Sequence, residues 1–291
     1  MDDPGEAETR AETVERLLHG SSFGAAAAAY AEHRPGYAEA AVRWALEPCW
    51  PGGTTPRSPP RTGGLPVPPY PPGPLRVLDL GAGTGKLTQI LVRLGVEVTA
   101  VEPDPGMLAE LRRELPSLRS LAGSAEEIPL PDGSADAILV GQAMHWFDLG
   151  RAMPEIARVL SPGGGLAGLW NVDDDRVPWV AGLAEISKRK SSATLTRWRD
   201  GASQARQEHI AAAGSGLFGL AQVGEFEHGQ RRTAESLLAT IATHSHLLVM
   251  DEPERTALLA EISDFLHGRP ETSAGEFVLP LVTVVLRIPR T

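Results

Sequence analysis

Glycines at positions 81, 83 and 85, an aspartate two residues before the first and a glutamate 17 residues after the last carry most of the chemistry readable in this chain. In Val77-Leu78-Asp79-Leu80-Gly81-Ala82-Gly83-Thr84-Gly85, an apolar run passes straight into a glycine-rich turn. Glycines there take positive φ and let the backbone approach a ligand. A helix starting at Lys86 then points its free amides at the same place. The spacing narrows the ligand. A dinucleotide site wants Gly-x-Gly-x-x-Gly, and here the third glycine comes one residue early. A Walker loop fails too, since Gly85-Lys86-Leu87 lacks the magnesium-binding hydroxyl. Glu102 closes the next strand, where a carboxylate can accept from both ribose hydroxyls of a nucleoside. An ordinary tight turn and a solvated strand-end glutamate are the plain alternatives, and both stay open here.

The elements that position these residues alternate. Leu75–Leu80, Val96–Val101, Leu118–Gly123, Ala135–Val140 and Gly165–Trp170 read as strands. Lys86–Leu94, with Leu87, Ile90, Leu91 and Leu94 on one face, reads as a helix, as do Gly106–Leu115 and Arg151–Leu160. Such alternation with short turns predicts a parallel sheet with helices on both faces, without fixing the strand order. Beyond Trp170 the rhythm changes. Residues 178 to about 215 read as mostly helical. Leu217–His228 reads as a strand, Ala234–His244 and Glu252–His267 as helices, and Val278–Ile288 as an apolar last strand. Pro280 in that strand predicts an edge position or a bulge.

Composition bounds the rest. The 291 residues hold one cysteine, which excludes a disulfide scaffold and fits a reducing cytoplasm. A net charge of −10 argues against nucleic acid as partner. The acidic start MDDPGEAETR is not a signal peptide, and no apolar run is long enough to span a membrane. Between Pro51 and Pro74 lie ten prolines and five glycines with no acidic residue, a linker composition. Val67-Pro68-Pro69-Tyr70 inside it lacks the Asn or Asp that begins the motif of amino-methylating DNA enzymes.

Four motifs in order then carry a resemblance. DLGAGTGKLT, VEPDPGML, GSAEEIPLPDGSADAILVGQAMHWFD and ARVLSPGGGLAGLWN are similar to class I S-adenosylmethionine-dependent methyltransferases. The similarity is to the small-molecule, type 11 subgroup that includes ubiquinone-biosynthesis and trans-aconitate methyltransferases. The resemblance implies a Rossmann-like three-layer αβα sandwich, with a seven-stranded, mostly parallel sheet whose last strand is antiparallel. It also implies an N-terminal helical lid and a helical cap insertion. The chain divides accordingly into a disordered or frayed start (1–20), the lid (21–50), the linker (51–74), the cofactor core (75–171), the cap (172–216) and strands and helices completing the sheet (217–291).

The same resemblance implies site residues. Asp79, Gly81, Ala82 and Gly83 would line the methionine end of S-adenosylmethionine, with Glu102 on the ribose and Pro103 and Met107 beside the adenine. Ser124, Ala125 and Glu126 would occupy the adenine-binding place, with Ser124 where the family commonly has Asp, so the contact to the adenine amino group would weaken or pass to the Ala125 amide or Glu126. Gln142 would lie beneath the sulfonium, Tyr30 would cover it, and Arg34 would face the cofactor carboxylate. His145, Trp146, Trp170 and Asn171 would face the acceptor, His145 as base or orienter.

The expected reaction is in-line methyl transfer to a small-molecule acceptor, with O-methylation favoured and S-adenosylhomocysteine as product. A non-catalytic cofactor-binding relative and N- or C-directed transfer are the alternatives. No metal is expected: His244 and His246 lack a carboxylate or cysteine partner. The basic clusters Lys188-Arg189-Lys190 and Arg197 with Arg199 read as solvated helix faces or as attraction for an acidic acceptor. The expected assembly is a monomer or homodimer, without membrane or nucleic-acid partners.

Overall fold

The computed structural model describes residues 35–49, 73–189, 208, 210, 212–242, 247 and 250–291. Seven strands form one sheet: β1 Arg76–Leu80, β2 Glu97–Glu102, β3 Arg119–Ala122, β4 Ala135–Gly141, β5 Leu160–Asp173, β6 Gln222–Arg232 and β7 Phe277–Pro289, in the order β3-β2-β1-β4-β5-β7-β6. The β1–β2, β1–β4, β2–β3 and β4–β5 pairs are parallel, and β7 runs antiparallel between β5 and β6. Strand β4 is buried at every position before Gly141 because helices cover both sides of it.

One face is covered by α1 (Glu39–Leu46) and α2 (Lys86–Arg93), which bury Val42, Leu46, Leu87 and Leu91 against Val77, Leu139 and Leu169. On the other, α4 (Leu149–Val159) packs Met153 and Ile156 against Leu78, Ile138 and Leu166. Helix α3 (Pro105–Glu114) starts at a proline behind Asp104, whose carboxylate accepts from the Met107 amide at 2.8 Å. The result is the expected three-layer αβα sandwich, completed by the antiparallel last strand.

Above the end of β5, the prolonged β6–β7 ribbon is packed by α5 (Pro178–Arg189), α6 (Ala234–Ala242) and α7 (Glu252–His267). Trp179, Leu183, Leu237, Leu258, Ile262 and Phe277 make this a third apolar cluster, drawn from both sides of residue 216.

Three sequence expectations change. Strand β5 runs from Leu160 through the glycines to Asp173, with a register shift opposite Ala135 and Ala137. Strand β6 begins only at Gln222. The edge position expected from Pro280 is also corrected, because β7 is an interior strand. Its pairing with β5 ends at Leu281, and the Pro280 carbonyl accepts from Asp174 N–H at 3.1 Å. The nitrogen of Pro280 faces the same side and has no hydrogen to return that bond, so the β5 ladder stops there. Tyr30, Arg34, residues 51–72, Lys190, Arg197, Arg199, His244 and His246 lie outside the described residues.

Candidate active site

The chemistry gathers at the C-terminal ends of β1, β2, β4 and β5, where an open parallel sheet leaves a crevice. Gly81, Gly83 and Gly85 all take positive φ, at 71°, 57° and 90°. They differ in what surrounds them. A Cβ on Gly81 would stand 2.7 Å from Ala143 Cβ, and one on Gly85 2.5 Å from Leu111 Cδ1, whereas one on Gly83 meets nothing within 4 Å. The first and third glycines serve close packing, and the middle one faces open space.

The turn keeps its own amides for the protein. Gly81 and Ala82 both donate to Val101 O, at 2.9 and 3.1 Å, and Gly85 donates to Ala82 O at 3.0 Å. Gly83 N–H donates to Glu102 Oε2 at 2.7 Å. These amides are spent within the protein, so the turn presents a wall and not a phosphate nest. That suits a nucleoside without phosphate.

Two carboxyls border it. Glu102 is buried, with Oε2 on Gly83 N–H and Oε1 accepting from Asp104 N–H at 2.9 Å. Burial raises its pKa, against the lowering by the two amides. Each oxygen keeps a lone pair for a further donor. Asp79 is fully buried, and burial pushes its pKa up to about 7, with the nearby Glu102 charge adding to the rise and the Thr88 hydroxyl opposing it. Thr88 Oγ1 donates to Asp79 Oδ2 at 2.5 Å, while Asp79 Oδ1 and Thr84 Oγ1 are buried with no hydrogen-bond partner. An orphaned acceptor beside a glycine wall is a place for a donor-bearing or cationic ligand group.

Across the crevice, Gln142 takes φ 55°, alone among the described non-glycine residues in having a positive value. Its N–H donates to Leu169 O and its Nε2 to Asn171 O, each at 2.9 Å. Strain of this kind persists where surrounding bonds fix it. A Cβ on the preceding Gly141 would stand 2.5 Å from Tyr37 Oη, so the missing side chain makes room for that phenol.

The remaining expected residues divide. His145 is exposed on a short 3-10 turn, its ring 4.6 Å from that of Trp146. Met107 is buried under the start of α3, and Pro103 is exposed beside it. Ser124 bridges Glu127, Ala125 is buried, and Glu126 Oε1 accepts from Asp148 N–H at 2.9 Å, joining this loop to the start of α4. Trp170 is buried in the apolar core with Met153, Phe218 and Val284, with its ring over Gly168. Asn171 uses its amide on Gly36 O, 2.9 Å away, and accepts from Thr283 Oγ1 at 2.7 Å. Thr88, Tyr37 and Thr283 were not among the expected site residues. An i to i+9 pairing from Asp79 to a helix hydroxyl was the one readable signal for Thr88.

Comparison with known proteins identifies the family. Residues 78–168 match a family of methyltransferase domains. An uncharacterized methyltransferase of Mycobacterium tuberculosis is 38% identical over 267 residues, covering 91% of this chain and 94% of that one. A malonyl-[acyl-carrier protein] O-methyltransferase of Methylococcus capsulatus is 43% identical over 102 residues, 33% of this chain and 37% of that one. A solved structure described as a type II methyltransferase from Anaeromyxobacter dehalogenans superposes with a TM-score of 0.60 at 23% identity, over 88% of this chain and 97% of that one, a likeness of fold. With a glycine turn closed on itself, a clamped acid ending β2 and a relative alike over nine-tenths of its length, the chain belongs to the class I S-adenosylmethionine-dependent methyltransferases.

Proposed function

We propose that this methyltransferase carries a methyl group from S-adenosylmethionine to an oxygen of a small-molecule acceptor, with His145 and Trp146 on the acceptor side. The observation that carries the binding mode is the pairing of a clamped Glu102 with the orphaned Oδ1 of Asp79 at the two ends of the turn. Glu102 would hold the ribose hydroxyls through the two lone pairs left after Gly83 and Asp104 are served. Asp79 would take the methionine ammonium on Oδ1, since Thr88 occupies Oδ2. Gly83 offers the open surface between them, and Met107 and Ala125 offer apolar contact for the adenine. Gln142, fixed by Leu169 and Asn171, would support the sulfonium end.

When bound, the cofactor supplies an electrophilic methyl on a charged sulfur. The chain's own share is to align the acceptor with that methyl and exclude water, and such alignment is worth up to about 7–11 kcal/mol. His145, exposed on its turn, can orient the acceptor or take its proton. Oxygen as the methylated atom draws on the Methylococcus O-methyltransferase, which matches over a third of the chain.

Calorimetric titration with S-adenosylhomocysteine, with NAD as a control, tests the reading. Binding of the former, lost in Glu102→Ala, supports it. Binding of NAD with none of the sulfur nucleoside overturns it.

A further inference from the structure

Between Leu281 and Leu286, β7 is a run of valine and leucine interrupted by one fully buried threonine, Thr283. Valine has the same shape and would suit the strand, so the hydroxyl needs a reason. It stands where four segments meet. Thr283 Oγ1 accepts from Ala38 N–H at 2.9 Å and donates to Asn171 Oδ1 at 2.7 Å, and His228 Nε2 lies 3.1 Å away. A hydroxyl has one hydrogen and two lone pairs. With its hydrogen on Asn171, its second lone pair takes an N–H from His228, which places that ring's proton on Nε2. All its bonding capacity is thereby used.

Asn171 passes the connection on in two directions. Its Nδ2 donates to Gly36 O at 2.9 Å, and with Ala38 N–H on Thr283 this fixes the segment on either side of Tyr37. Its backbone carbonyl accepts from Gln142 Nε2 at 2.9 Å. Tyr37 meets Gly141 and Gln142 follows it with φ 55°, so both ends of the network arrive at the end of β4. Gly83 and Glu102 approach the same crevice from β1 and β2.

We infer that Thr283 and Asn171 are positioning residues of the methyl-transfer site, holding Tyr37 and Gln142 against the end of β4 where the sulfonium end of the cofactor is received. The inference rests on the functional reading above. Asn171 thus works through other residues and not by touching the acceptor. Replacing Thr283 by valine keeps the shape and removes the hydroxyl, so Ala38 N–H, His228 Nε2–H and Asn171 Oδ1 lose one shared partner.

The test is titration of the full-length protein with S-adenosylhomocysteine, well below the melting temperature, in the wild type, Thr283→Val, Thr283→Ser and Gly141→Ala. The valine variant is expected to bind about tenfold more weakly, the scale of one lost buried hydrogen bond, and the serine variant to bind within about twofold of wild type. Gly141→Ala presses on the Tyr37 phenol from the opposite side, leaves the Thr283 bonds in place, and is expected to weaken binding to a similar degree. A purely structural hydroxyl would lower the melting temperature and leave the affinity of the folded protein unchanged, which overturns the inference. If Thr283→Val does not fold, Gly141→Ala decides alone, and wild-type affinity in it overturns the inference. Loss of binding in Glu102→Ala with full binding in Thr283→Val and Gly141→Ala overturns this inference only. A wild-type protein that does not bind overturns the functional reading and this inference with it.

Discussion

Replacing Asp79 by asparagine should change how stability depends on pH. The carboxyl is fully buried, and burial above all raises its pKa from 3.8 to about 7. A carboxyl raised in the folded state holds its proton more tightly there than in the unfolded chain. Its contribution to stability is therefore complete below the unfolded value and is lost as pH rises through the folded one. From these two values, the folded protein gives up about 4 kcal/mol above pH 7 but only about 2 kcal/mol at about pH 5. Asparagine has no such titration. The stability of Asp79→Asn relative to wild type should therefore improve by about 2–3 kcal/mol between about pH 5 and about pH 8. Urea denaturation of both proteins without cofactor measures this, and because Glu102 is present in both, most of its own titration cancels. A second arm follows from the orphaned Oδ1. An ammonium seated there favours the ionised form, so S-adenosylhomocysteine should expel a proton from the wild type near pH 7 and none from the variant. Calorimetry in buffers of different ionisation heat counts that proton. A stability difference flat in pH, together with no proton release, would refute a protonated Asp79 in the free protein.

Other substitutions probe the remaining geometry. Gly81→Ala sets a methyl against Ala143 at positive φ and should cost about 2–3 kcal/mol in a denaturant titration, whereas Gly83→Ala should cost about 1 kcal/mol yet weaken S-adenosylhomocysteine binding more than tenfold. Asp136→Ala strands the Arg76 guanidinium and amide at the far end of β1 and should cost about 3 kcal/mol, with cofactor affinity unchanged. In a methyl-transfer assay, His145→Gln should remove a pH-dependent limb of the rate, and a wild-type rate constant from about pH 5 to about pH 8 would rule out the base role.

The strand–helix alternation was legible because a central parallel strand such as β4 is continuously apolar over Ala137–Val140, while α2 shows its one-sided face in Leu87, Ile90 and Leu91. The glycine turn and Glu102 were legible as a ligand site because they lie close together in the chain. What the turn's amides do was not. Their bonds to Val101 and to Glu102 depend on how β2 sits beside β1, and spacing alone does not contain that. The surroundings of Trp170 were not legible for a related reason: alternation says which residues share a face of β5, and only the packing of α4 and Phe218 says that this face is core.

The two walls of the site differ in how far apart in the chain their contacts reach. Thr88 and Asp79 are nine residues apart and Glu102 and Gly83 nineteen, so one βαβ unit contains that wall. Across the crevice, Thr283 reaches His228 over 55 residues, Asn171 over 112 and Ala38 over 245. No local pattern encodes such a junction, and a threonine in a strand of valines reads as one more β-branched residue. Only the antiparallel insertion of β7 between β5 and β6 brings its hydroxyl under the segment that bears Tyr37. The wall proposed to bind the nucleoside is thus built by local sequence. The wall proposed for the reacting end is built by the sheet's final strand, so changes there should move cofactor affinity without touching any residue of the glycine motif.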